Sequence, residues 1–195
     1  MEITIRGVKI YISFLFVCLV ALYILFTPTP DSVFFLLAIL LHEAGHLTAM
    51  LLSGELPSSI ELRSFGIKII RRNTLLPSSR EILILLAGPF VNLLLAAFFH
   101  TMGPALSHAA LLNLMLALFN LIPVGCLDGG NILRCLLELH LSPRLSHSLF
   151  LCIAVLFLTV LLIAGLLLLF GQSHSPSLLI TTIYLSITLF KDISE

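Results

Sequence analysis

Long apolar runs separated by short polar or proline-rich joints dominate the chain. Six runs, at about 10–27, 32–53, 81–101, 104–122, 147–170 and 177–191, each approach the roughly 20 residues a helix needs to cross about 30 Å of hydrocarbon. The joints after the first, third and fifth runs are TPTPDS, MGP and GQSHSPS, and none holds a Lys or Arg. All ten basic residues fall on the other side: Arg6, Lys9, Arg63, Lys68, Arg71, Arg72, Arg80, Arg134, Arg144 and Lys191. The positive-inside rule then predicts a multi-pass membrane protein with both termini in the cytoplasm.

Two segments break the helical pattern. Residues 55–74, ELPSSIELRSFGIKIIRRNT, alternate in the manner of strands: Ile60 and Leu62, then Ile67 and Ile69 around Lys68. Gly66 allows a bend or bulge between them. The N-terminal EITIRGVKIYI alternates similarly, and the two regions are candidates to pair. The second break is 120–131, NLIPVGCLDGGN, where Pro123 and Gly125 interrupt the fourth run and Gly129-Gly130 follow Asp128. Unwound backbone at membrane depth is tolerated where it lines a polar cavity or is buried in protein. Helical spacing resumes over 131–140. The expected fold is an all-α polytopic membrane protein with about six transmembrane helices. A small membrane-associated β-hairpin or sheet lies between the second and third. The chain is expected to form one membrane-embedded domain over 1–195, with its catalytic core at about 32–140 and no soluble regulatory domain.

Composition agrees. The chain has 195 residues, 59% hydrophobic and 10% charged, against about 25% charged in soluble domains. Net charge is zero, and no basic block suggests nucleic acid. Cys18, Cys126, Cys135 and Cys152 form no C-x-x-C pair and read as packed, reduced thiols. The first run lacks small-residue cleavage chemistry and reads as a retained span rather than a signal peptide.

Chemistry concentrates in the second run. Between Ser32 and Ser53 the only ionisable residues are His42, Glu43 and His46, in the string HEAGH. A charged side chain at bilayer depth costs roughly 2.5–3.5 kcal/mol on insertion scales, so such residues have a partner and a function. On a helix, positions i and i+4 share a face, which lets His42 and His46 grip one metal ion. Glu43 is placed to act as general base on a water at that ion. A hydrolytic zinc site wants a third protein ligand. Asp128 is the other acidic residue embedded in apolar text beside a helix break, although it also suits a helix N-cap. Asn92 and Asn120 reach a similar depth and suit hydrogen bonds to a substrate backbone or oxyanion, or between helices. Gly88-Pro89 reads as a loosening of the third run before Asn92. Cys126, two residues before Asp128, reads as packing, with a zinc-ligand or regulatory role as the alternative. His100, His108, His140, His147 and His174 lie near run ends or joints and read as solvated or structural.

HEAGH at 42–46, AGPFVN at 87–92 and NLIPVGCLDGG at 120–130, in that order, resemble the site-2 protease family of intramembrane zinc metalloproteases. The resemblance runs from the second run through the fourth. It implies one Zn2+ held by His42, His46 and Asp128, with Glu43 as catalytic base and Asn92 and Asn120 positioning substrate. It further implies regulated cleavage within or near a transmembrane segment of a membrane-associated protein, such as a transcription-factor precursor or an anti-sigma-type regulator. An inhibitory membrane partner is a further expectation, as is a bacterial cell-membrane location. The six-span plan is similar to the sporulation branch, which processes a sigma-factor precursor. Many relatives carry proline where Cys126 stands, and residues 1–195 read as holding neither a nucleotide-sensing domain nor a peptide-binding insert. Segment 60–70 suits strand addition by an unwound substrate. The competing readings are a metal transporter and a catalytically inactive homologue that binds membrane partners. The sequence leaves the oligomeric state unread.

Overall fold

The computed structural model describes residues 2–5, 8–12, 25–26, 29–54, 57–63, 66–71, 79–171 and 175–194. Most of the first apolar run, with Cys18, lies outside the described residues, as does His174. The strands are β1 (Glu2–Ile5), β2 (Val8–Ile12), β3 (Pro57–Arg63) and β4 (Gly66–Arg71). The helices are α1 (Pro30–Leu52), α2 (Ser79–Thr101), α3 (Ser107–Asn120), α4 (Asp128–His140), α5 (Pro143–Phe170) and α6 (Ser177–Ser194). A 3-10 turn, Pro104–Leu106, precedes α3. Pro30 and Pro143 open α1 and α5, where a missing N–H costs no helical bond. The fifth run therefore begins at Pro143 rather than 147, and helix resumes after the fourth run at Asp128 rather than 131.

The chain divides into two compact units. The first comprises Met1–Leu76 and Ala87–Ala117. It holds a four-stranded sheet in the order β1-β2-β3-β4, so β4 is an edge strand. β1 and β2 pair antiparallel, β2 and β3 parallel, and β3 and β4 antiparallel with Ile60 opposite Ile69 and Leu62 opposite Ile67. In this unit the start of α1, the end of α2 and the start of α3 meet. Phe34 contacts Phe99 edge-to-face at 6.2 Å, and His108 Nδ1 lies 3.4 Å from Asp31 Oδ2. Further along, Gly45 of α1 lies against the α2 backbone. A Cβ there would fall 2.8 Å from the Ala87 carbonyl oxygen and 3.0 Å from Val91. Small residues at such crossings let membrane helices approach closely.

The second unit comprises Pro77–Leu86 and Leu118–Glu195. Its core is Val124, Phe150, Ala154, Leu158, Leu185 and Leu189, drawn from the 121–127 turn, α5 and α6. Arg134 of α4 sits over the Phe150 ring, 4.7 Å from its centroid. Leu156, Val160, Ile163 and Leu167 leave an exposed leucine-rich stripe along α5 at helical spacing. In water such a stripe is a liability; in lipid it is solvated. Three helices, at 31–52, 79–101 and 143–170, are long and apolar enough to cross a bilayer, as expected of a membrane-embedded protein.

Candidate metal centre

His42 and His46 stand one turn apart on α1, 4% and 7% exposed. Their Nε2 atoms face each other at 3.1 Å, with the rings edge-to-face and centroids 4.8 Å apart. Two nitrogens each about 2.0–2.1 Å from a tetrahedral zinc lie about 3.3 Å apart, so the pair is already near the spacing of a shared ion. Glu43 follows His42 on the same turn and is half-buried.

Room for the imidazoles comes from α2. A Cβ at Gly88 would collide with His46 Nε2 and fall 2.8 Å from His42 Nε2. The glycine thus does more than loosen the helix. α2 runs continuously through Pro89, and the missing side chain at 88 leaves the ligand atoms their space. Asn92 lies one turn further along α2, on the same face as Gly88. It is fully buried, and neither its Nδ2 nor its Oδ1 has a hydrogen-bond partner among the described residues. An interhelical bond would have used one of these atoms. The amide instead stands open as both donor and acceptor.

In the second unit, α3 stops at Asn120, which is half-buried, and the chain turns through Leu121–Leu127. The turn satisfies its backbone locally. Ile122 N donates to Phe119 O (3.1 Å), Val124 N to Ile122 O (2.8 Å) and Leu127 N to Val124 O (2.8 Å). Gly129 and Gly130 pack under it so tightly that a Cβ would overlap the Leu121 and Val124 carbonyls. The Asp128-Gly129-Gly130 string therefore begins a helix that propensity alone would not start there. Leu127, not Asp128, is the N-cap residue, and no side chain caps α4. Asp128 is the first helical residue, where the helix dipole favours a carboxylate.

Among the described residues, one group of metal-ligating side chains converges. One ligand atom each from His42, His46 and Asp128 lie within 4.8 Å of one another. Two buried imidazoles and a half-buried carboxylate are a donor set suited to zinc with one position left open. Cys126 is not in this group; its Sγ lies 3.3 Å from the Thr188 hydroxyl of α6. The steric part played by Gly88 had no signal in the sequence, because it depends on how close α1 and α2 come.

Residues 100–163 match the model of peptidase family M50. A zinc metalloprotease of Methanocaldococcus jannaschii is 29% identical over 69% of this chain. The match takes in 44% of that protein, so the chain spans less than half the length of this curated relative. The structure of a site-2 protease from Methanocaldococcus jannaschii superposes with a TM-score of 0.68 over 98% of this chain and 94% of that one. At 23% identity, that likeness speaks for the fold. The family match spans the segment that carries Asp128, and in sequence and fold the chain is similar to zinc metalloproteases of peptidase family M50 and to a site-2 protease.

Proposed function

We propose that the chain is an intramembrane zinc endopeptidase. It hydrolyses a peptide bond within or near a transmembrane segment of a membrane-associated protein. The carrying observation is the convergence of His42, His46 and Asp128 within 4.8 Å in a chain otherwise built of apolar helices. These three residues hold the ion. When bound, zinc supplies Lewis acidity to the scissile carbonyl and to the attacking water. Glu43 accepts the water's proton and returns it to the leaving amine. Asn92, with its amide open, hydrogen-bonds the substrate backbone or the developing oxyanion, and Asn120 at the end of α3 serves the same purpose.

In this reading the six apolar runs are six spans with cytoplasmic termini, and a membrane partner that inhibits cleavage is compatible with it. A metal transporter would use the ligands but give Glu43 no task. Glu43→Gln separates the two. It should keep about one zinc per chain by atomic spectroscopy while cleavage of a reconstituted single-span peptide falls roughly 10²–10⁴-fold. Undiminished turnover, or zinc flux in proteoliposomes without cleavage, would overturn the protease reading.

A further inference from the structure

The first unit holds a second buried amide with an open acceptor. Asn113, midway along α3, is 1% exposed and flanked by Leu111, Leu112, Leu114 and Leu116. Its Nδ2 donates to the Ala109 carbonyl at 2.9 Å, one turn back on its own helix. Its Oδ1 accepts nothing among the described residues. That single bond ties α3 to no other element, so it gives the fold little in return. Leucine would fill the same place without burying an unanswered acceptor, which is costly wherever it occurs. A buried polar group of this kind calls for a partner that arrives later.

The register of the unit says where that partner would lie. The ends of α1, α2 and α3 that meet are tied by the Phe34–Phe99 and Asp31–His108 contacts. Counting inward at about 1.5 Å per residue, Asn113 lies about 8 Å from that end, Asn92 about 14 Å and His42 about 17 Å. Asn113 is therefore about 6–9 Å from the layer of Asn92 and the imidazoles, two to three residues of extended chain at about 3.3 Å each.

We infer that Asn113 is a further substrate-positioning residue. Its Oδ1 accepts a backbone N–H of the unwound substrate two to three residues from the scissile bond, toward the α2–α3 joint. This rests on the protease reading. Like Asn92, the acceptor is closed off here, so it comes into use as an entering chain parts the helices around it.

The test uses the full chain in detergent micelles and a synthetic single-span peptide that the wild type cleaves. Each backbone amide within four residues of the cleaved bond is replaced in turn by an ester, which removes one N–H. One ester, two or three residues from the bond, should raise KM about 3–10-fold for the wild type. The same ester should leave Asn113→Leu unaffected. Asn113→Leu should itself raise KM by a similar factor while keeping its zinc and melting no lower than the wild type. Equal ester sensitivity of both proteins at every position overturns the role of Asn113 and leaves the protease reading standing. Absence of any Glu43-dependent cleavage by the wild type overturns both. If Asn113→Leu does not fold, Asn113→Ala carries the same comparison; misfolding of both marks the residue as structural and also overturns the inference.

Discussion

A methyl group at position 88 has nowhere to go, because it would overlap His46 Nε2 and crowd His42 Nε2. Gly88→Ala should therefore weaken zinc binding at least tenfold, as changes beside metal ligands commonly do. The helix itself should not suffer, since alanine is about 1 kcal/mol better than glycine in a helix interior. Zinc titration with a competing chelator, beside a thermal melt, checks this; unchanged affinity would show that the imidazoles can shift out of the way. At this scale the sequence is uneven. The histidine pair is legible because helix periodicity alone puts His42 and His46 on one face. The asparagines are legible as polar positions in apolar text, but their open atoms are not, since only packing reveals which amides find partners. The space that Gly88 leaves for the imidazoles is not legible, because its neighbours are 42 and 46 residues away in the chain. Asp128 stands as both ligand and N-cap until Leu127 is seen to hold the cap position.

The turn that presents Asp128 packs against α6. Val124 is fully buried in one cluster with Leu185 and Leu189, and the Thr188 hydroxyl, which donates to the Leu185 carbonyl at 2.8 Å, also reaches Cys126 Sγ. Removing the Leu185 side chain takes away the surface on which Val124 rests. Leu185→Ala should cost about 2–5 kcal/mol of stability and lower zinc affinity together. Leu167→Ala, on the exposed stripe of α5, should change neither. Loss of stability with unaltered zinc affinity would mean that the turn holds its shape without α6. The long helices are readable as elements because in lipid a single apolar run can pair its backbone N–H and C=O groups within itself only as a helix. Their ends fall close to the runs, and proline marks two of the starts. The start of α4 is not readable. Paired glycines argue against helix by propensity, and only the overlap with the Leu121 and Val124 carbonyls explains them.

For the molecule as a whole, composition announces the membrane, whereas orientation rests on the placement of charge. The fourth run makes a short helix: Pro104–Asn120 is 17 residues, about 25 Å of helix. It ends early because the chain must leave helix at Asn120 to form the turn that carries Asp128, and α4 then returns the chain to Arg134 and Arg144. If Lys and Arg stay in the cytoplasm, residues 107 and 142 lie on opposite sides of the bilayer. Both Ser107 and Ser142 are exposed and suit cysteine substitution in a background lacking the four native cysteines. In intact cells a membrane-impermeant maleimide should label Ser107→Cys, and label Ser142→Cys only after permeabilisation. The reverse pattern would invert the topology. Labelling of both from one side would mean that 107–142 never crosses, leaving the broken fourth run as a re-entrant loop and the Asp128 carboxylate reached from the opposite face.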